Sequence, residues 1–399
     1  MRRREGIAAP TGSADVLSVR TKPPTMEYVQ ERIATLHDLT GAAPDAPTGR
    51  SAVIVPMTDR EYAGRAAERV LSTLADVDPA RVIVALRAPP ERVRPFREWL
   101  DGFDFDADLL WCNGPAVESL LDDRGLEGDH GKGRDVWLAL GVAAADSEFV
   151  VVHDADAKSY APTHVPRLLA PLAADYSFSK GYYARVENGR LYGRLYRLFV
   201  APLLRALGDA DHDPVLDYLD AFRYPLAGEF AMTAELARSV RAQPSWGLEI
   251  GTLGETFDRV GFEGSAQVDL GVHEHDHRAV SGADGLSGMA EQVGAALFRV
   301  LEDQGIAVDY EDVRERYREV GAAMVDQYAA DAAFNELAFD RTAEREQVRT
   351  YAEAISAPGL DQRLPAWRDA PLSPDEVVDA AERALESAPD SSDGVALDD

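Results

Sequence analysis

Lysine is close to absent from this chain. Four of the 399 residues carry it, Lys22, Lys132, Lys158 and Lys180. Lysine and arginine together number 41 against 70 aspartates and glutamates, a net charge of -29 at pH 7. So acidic a chain excludes a nucleic-acid partner, whose phosphates need a basic face. Excess acid with little lysine keeps a protein hydrated in concentrated salt, so a salt-adapted cytosol is expected. Cysteine is represented by Cys112 alone, which excludes an internal disulfide and a thiolate zinc cage. No apolar run approaches the ~20 residues that span a bilayer. The opening Met1-Arg2-Arg3-Arg4-Glu5 is not followed by the apolar stretch of a signal peptide. A cytoplasmic location without an integral membrane segment is the expectation. Also missing are a Gly-X-Gly-X-X-Gly after the first predicted strand and a Walker sequence, which argues against a dinucleotide oxidoreductase or a P-loop ATPase.

What is present begins with a core. Hydrophobic residues make up 46% of the chain, and the length suits one large α/β domain with additions, or two domains. Residues 51–56, 81–86 and 108–112 read as buried strands, with helices over 61–74, 91–100 and 135–145. Repeated β-α units predict a mainly parallel sheet flanked by helices. Residues 1–50 read as a flexible N-terminal segment with one short amphipathic helix over 26–39. Past Tyr160 the pattern predicts a helix over 163–173, a strand over 175–183, and helices near 191–206, 233–242, 247–260 and 285–304. A helical extension over 305–385 and a disordered acidic tail over 386–399 complete the chain. The Ala-rich faces of the extension suit either a homodimer interface or packing on the parent domain.

Three of the four lysines fall between residues 132 and 180, around Phe149-Val150-Val151-Val152-His153-Asp154-Ala155-Asp156. Four apolar residues in a row read as a strand buried on both faces. Ligands of open α/β sheets bind beyond the carboxyl ends of the strands, which is where Asp154 and Asp156 emerge. Two carboxylates there repel unless a cation joins them, and a divalent ion carrying a diphosphate is the usual solution. The alternative is a strand-ending turn with solvated aspartates. Gly131-Lys132-Gly133 precedes a predicted helix, where free amides, the helix dipole and an ammonium suit a diphosphate. Glu249 lies in the first turn of another helix, a placement the dipole also explains. Three of the eight histidines, His273, His275 and His277, alternate within five residues. If extended they share one side of a strand, and neutral imidazole is a good metal ligand. A metal shared with Asp156 and a histidine-only structural site are both consistent with that pattern.

The order Gly-Lys-Gly, Asp-X-Asp, Lys180-Gly181-Tyr182-Tyr183, Pro225-Leu226-Ala227-Gly228-Glu229, Gly247-Leu248-Glu249-Ile250-Gly251, Gln267-Val268-Asp269-Leu270-Gly271-Val272 and the histidine-rich end resembles one family over about 51–304. That family is the retaining glycosyltransferases that make glucosyl-3-phosphoglycerate, with mannosylglycerate synthases as more distant relatives. The resemblance implies a GT-A nucleotide-diphospho-sugar transferase fold, with a nucleotide-binding half over 51–156 and an acceptor half over 157–304. It implies a Mg²⁺ or Mn²⁺ cofactor, a UDP-glucose-type donor and a glycerate-type acceptor. Residue by residue, it assigns the metal to Asp156, His275 and Asp154, with His273 and His277 as neighbours able to substitute. It places Pro56, Thr58, Lys132, Asp154 and Asp156 at the donor, and Lys180, Arg194, Tyr196 and Glu249 at the acceptor. Glu249, Asp156 and Lys132 are the implied catalytic residues.

Departures accompany the resemblance. The family's Pro-Ala-Leu-Asn-Glu loop reads Pro56-Met57-Thr58-Asp59-Arg60-Glu61 here, so its uracil-contacting glutamate is displaced or missing. Its Asp-Gly-Gly-Ser turn is replaced by Leu86-Arg87-Ala88-Pro89-Pro90. Tyr196 stands in place of a threonine, while Arg190, Arg194 and Arg197 offer phosphate-binding charge. Rival readings are another acceptor, such as a lipid or glycan hydroxyl, and a non-catalytic nucleotide-sugar binder. A nucleotidyltransferase shares the fold class and metal but usually carries a Gly-rich, Arg-containing signature where this chain has Pro56-Met57-Thr58-Asp59.

Overall fold

The computed structural model describes residues 31–208, 213–276 and 283–389. Its strands are β1 (Ala34–Leu36), β2 (Ser51–Thr58), β3 (Arg81–Arg87), β4 (Ala107–Trp111), β5 (Phe149–Val152), β6 (Phe178–Ala184), β7 (Val186–Glu187), β8 (Arg190–Leu191), β9 (Phe230–Thr233) and β10 (Ser265–Val272). The main sheet has eight strands in the order β1-β10-β6-β9-β5-β2-β3-β4, and β7-β8 form a separate hairpin. Every pairing in the main sheet is parallel except those of β9, which runs antiparallel between β5 and β6. The carboxyl ends of β2, β5, β6 and β10 therefore meet the start of β9 along one edge. That edge carries Thr58, Asp154, Glu229 and His273.

The strands exist because both faces of the sheet are covered. Ala52, Ile54, Val150 and Val152 belong to one apolar cluster, while Val53, Val55, Phe149 and Val151 belong to the other. Alternate residues thus feed opposite layers, and each buried Val or Ile contributes about 1.5–3 kcal/mol. Flanking helices are α1 (Arg65–Val77), α2 (Pro90–Leu100), α3 (Pro115–Asp123), α4 (Lys132–Asp146), α5 (His164–Ala173), α6 (Ala201–Gly208), α7 (Pro214–Ala221), α8 (Ala234–Ser239), α9 (Leu248–Val260) and α10 (Ala283–Asp303). They are followed by α11 (Tyr310–Phe334), α12 (Arg341–Tyr351) and α13 (Pro374–Glu386).

Helix α4 is buried from Gly133 through Ala144 without an exposed face. The C-terminal segment covers the side turned away from the sheet. Trp367 stacks on Trp137 at 4.6 Å, and each indole donates to a backbone carbonyl of the opposite segment, at 2.8 and 2.7 Å. A Cβ on Gly141 would overlap Trp367, so this helix turn needs glycine. Helix α13 then packs against α3, α4 and β4, and α11 against α6.

Three expectations are corrected. The helix over 26–39 is not formed in its described part, where Ala34–Leu36 pairs instead with β10. The open edge of β10 satisfies the backbone of this segment and overrides its helical periodicity. The helix over 191–206 begins instead with Arg190–Leu191 in a hairpin, followed by a π-helical turn at Tyr196–Val200 and then α6. The helix over 233–242 is cut to Ala234–Ser239, because Phe230–Thr233 fills the gap between β5 and β6.

Candidate active site

Past β5, Asp154-Ala155-Asp156 meets the segment that follows β10. Ala157 and His275 form an antiparallel bridge. On either side of it the Asp276 amide donates to the Asp156 carbonyl and the Lys158 amide to the Glu274 carbonyl, both at 2.7 Å. This short ladder brings His275 Nε2 to 3.9 Å from Asp156 Oδ1. Asp154, Asp156 and His275 each offer one ligand atom within 4.8 Å of the others. Asp156 Oδ1 is buried without a hydrogen bond. Burial, then the charges of Asp154 and Glu229, push the Asp156 carboxyl up to about 8. Two carboxylate oxygens and an imidazole, one oxygen lacking any proton donor, fit a divalent cation such as Mg²⁺ or Mn²⁺.

Lys132 opens α4. Its Nζ lies 2.6 Å from Asp154 Oδ1 and 3.0 Å from Glu249 Oε1. Burial disfavours the ammonium, but the two carboxylates outweigh it and hold the group well above the usual lysine range. The same contact tips the balance at Asp154, where burial raises the carboxyl but the Lys132 charge keeps it below its ordinary value. The glycines beside Lys132 have a reason other than ligand approach. A Cβ on Gly131 or Gly133 would overlap the backbone at Gln243, Pro244 or Ser245, and the Arg134 amide donates to the Pro244 carbonyl at 2.9 Å. That loop leads into α9, so the packing that demands glycine also sets Lys132 against Glu249.

A second layer lies behind these groups. Gly228 sits so close to Asp154 that a Cβ would overlap its carboxylate. Glu229 is buried, and burial followed by the Asp154 charge pushes it up to about 7. His273 Nε2 lies 3.8 Å from Glu229 Oε1, and its ring stacks on Tyr183 at 4.1 Å. Burial, then Arg185, pushes His273 down to about 4, so it is a neutral wall behind His275. Gly271, with φ of 82°, kinks the end of β10, yet His273 and His275 still lie on one side, their ring centroids 4.4 Å apart. His277 lies outside the described residues. Sequence reasoning gave no role to Glu187, whose Oε1 accepts from the His275 amide at 3.2 Å, or to Arg185, 3.5 Å from Glu187. The sole local signal was the Asn188-Gly189 turn of their hairpin.

The remaining sequence-selected residues are dispersed. Pro56 and Thr58 close β2 at the same edge. Thr58 is capped by Glu61, whose Oε2 accepts from the Thr58 amide at 2.6 Å and hydroxyl at 2.7 Å. Arg87 pairs with Asp135 at 2.9 Å. Lys180 is 1% exposed and its Nζ donates to the Ala227 carbonyl at 2.6 Å. Tyr196 packs edge-on against Tyr224. Arg194 lies half-exposed, 3.8 Å from Glu344 of α12. Arg197 is buried against the same glutamate through bonds of 2.8 and 3.0 Å.

No family model matches this chain. The glucosyl-3-phosphoglycerate synthase of Methanococcoides burtonii is 31% identical over 378 residues, 86% of this chain and 93% of the relative. The chain belongs to the glucosyl-3-phosphoglycerate synthase family. A second family member, from Persephonella marina, is 33% identical over 321 residues, 76% of this chain and 79% of its own. The Mycobacterium tuberculosis synthase, solved with Mn²⁺, UDP-glucose and phosphoglyceric acid, matches with a TM-score of 0.53 at 28% identity, covering 69% of this chain and 89% of that one. Its complex with Mg²⁺ and UDP matches equally, over 88% of that chain. Glucosyl-3-phosphoglycerate synthases are glycosyltransferases, and the eight-stranded, mainly parallel sheet agrees with the GT-A-like fold of those structures.

Proposed function

We propose that this protein transfers glucose from UDP-glucose to 3-phosphoglycerate with retention at the anomeric carbon, using Mg²⁺ or Mn²⁺. The observation that carries the reading is the convergence of Asp154, Asp156 and His275 within 4.8 Å, beside the ammonium of Lys132. Asp154, Asp156 and His275 would hold the divalent cation, which would supply positive charge to the departing diphosphate. Lys132 adds a preorganised positive charge on the side of the leaving group. Glu249 holds Lys132 and faces the transferred sugar. With its charge engaged by that ammonium it is a poor nucleophile, which favours attack by the acceptor hydroxyl on the face the diphosphate leaves. The reaction passes through an oxocarbenium-like state, and the departing phosphate takes the hydroxyl proton. Pro56 and Thr58 border the nucleotide, and Arg194 and Tyr196 of the 193–197 turn border the acceptor.

No helix of the described residues is long and apolar enough to cross a membrane. Together with the acidic, lysine-poor composition, this supports placing the enzyme in a salt-rich cytoplasm. The test is a donor-by-acceptor panel in high KCl with added Mn²⁺ or Mg²⁺, with the product anomer read by NMR. UDP-glucose and 3-phosphoglycerate should give the α-linked product. Hydrolysis without transfer, or a β-linked product, would overturn the reading.

A further inference from the structure

Lys180 is one of four lysines in a chain that otherwise uses arginine, and it spends its ammonium inside the protein. It lies on β6, paired with Phe230 of β9, and its Nζ stands 5.4 Å from the Phe230 ring centroid. The ammonium donates to the Ala227 carbonyl at 2.6 Å, and the next amide on the strand, Gly181 N, donates to the Glu229 carbonyl at 2.8 Å. These two bonds pin the backbone on both sides of Gly228. Gly228 is the residue against which the Asp154 carboxylate rests, with no room for a Cβ. Asp154 in turn meets Lys132, and Lys132 meets Glu249.

We propose that Lys180 is a positioning residue: by anchoring Ala227 it sets Gly228 as the stop that orients Asp154 toward both Lys132 and the cation. It acts through backbone and touches no substrate. The long unbranched side chain carries its terminal donor from β6 to the buried Ala227 carbonyl. Burial of the ammonium is made tolerable by the carbonyl, the aromatic face and the negative charges of Glu249 and Glu229, which partly offset the downward push of burial on its pKa. Methionine would keep the volume and leave the Ala227 carbonyl without its donor.

The inference rests on the function proposed above, but its first readout needs no turnover. Mn²⁺ binding in the presence of UDP, followed by electron paramagnetic resonance, should weaken about 10- to 100-fold in Lys180→Met, the range typical for partners behind a metal ligand. In assays, kcat should fall by a similar factor while the acceptor KM stays within about twofold, as expected for a loss of orientation rather than of binding. Lys180→Gln, which keeps a donor without the charge, should recover part of both losses. Gly228→Ala displaces Asp154 from the other side. It should reproduce the Mn²⁺ defect, and it carries the test if Lys180→Met does not fold. Wild-type Mn²⁺ affinity in Lys180→Met, or a rise in acceptor KM as its main effect, would overturn the proposal. If the wild-type protein binds Mn²⁺ with UDP yet transfers no glucose, the proposed function fails while the Mn²⁺ comparison still decides the role of Lys180.

Discussion

Helix α9 carries two buried glutamates with opposite surroundings. Glu255 accepts from the Arg241 amide at 3.1 Å and side chain at 2.7 Å, and pairs with Arg259 at 3.0 Å and Arg363 at 3.4 Å. Arg363 also binds Asp303 at 2.5 Å and Asp361 at 2.6 Å. Its hydrogen bond holds the Asp361 carboxyl down at about 2. Every charge in that network has a partner within the chain, and the result is a staple that ties the 355–369 segment to the body. Glu249, at the other end of the helix, has one lysine, which it shares with Asp154. Beyond them Asp156 keeps a buried oxygen with no donor. In a chain so rich in acid, arginine neutralises the carboxylates that serve the fold. At the sheet edge that neutralisation is left incomplete, which is what a site for an external cation and a charged substrate requires.

The contrast is tested most severely at Asp156. Asp156→Ala should lower metal-dependent turnover by about 10³-fold, with an unchanged far-UV circular dichroism spectrum and no loss of thermal stability. Full turnover in that variant would erase the distinction between the two ends of the helix. Arg363→Ala should do the reverse, lowering the unfolding free energy by about 3 kcal/mol through a broken buried ion pair. Its kcat, measured well below the melting temperature, should stay within about twofold of wild type. A parallel collapse of activity would show that the staple also sets the site.

A smaller effect sharpens the comparison through pH. Asp156 must lose its proton to bind a cation, and its carboxyl is pushed up to about 8. Mn²⁺ affinity measured by calorimetry should therefore rise up to about tenfold per pH unit below 8 and level off above it. In the metal-free protein the raised carboxyls should contribute the opposite slope in thermal melts. Glu229 and Asp156 titrate near 7 and 8 in the folded state, above ordinary carboxyl values. At these two groups the folded chain holds more protons than the unfolded one, so their contribution to stability falls as pH rises through that window, by up to about 1.4 kcal/mol per unit each, while Lys180, pushed down to about 8, works in the opposite sense. Asp156→Ala should lose its share of that slope, and profiles of melting temperature that run parallel in wild type and variant between pH 6.5 and 8.5 would contradict this. Asp303 and Asp361 of the Arg363 staple, held below the ordinary carboxyl range, contribute no such slope.

Much of the 51–156 region was legible because its signals are local. Runs such as Val53-Ile54-Val55 and Val82-Ile83-Val84 are buried on both faces, so apolar continuity alone marks them as parallel strands. Elsewhere the signal was overridden or absent. Residues 34–36 took the strand conformation because an open sheet edge lay beside them. β9 is four residues long and follows a Pro/Gly turn, too short for any period to show. Lys180 looked like a ligand for an acidic acceptor because a scarce lysine near an Asp-X-Asp invites that reading, and its burial is visible only once β6 and β9 are paired. Glu344, which holds Arg197, comes from a helix remote in sequence from the turn it meets.

By itself the sequence determined that two carboxylates would emerge from the end of a buried strand, that a lysine would start a neighbouring helix, and that imidazoles would follow another strand. Each of these depends on apolar periodicity and turn chemistry within a few residues. Only the tertiary structure decided which imidazole reaches Asp156, that Lys132 lies between Asp154 and Glu249, and that Lys180 faces inward. Those relations join residues up to about 120 positions apart, and they are set by sheet order and by the short ladder between 156–158 and 274–276. A register shift of one residue in that ladder would turn His275 away from the carboxylates while leaving every local pattern intact.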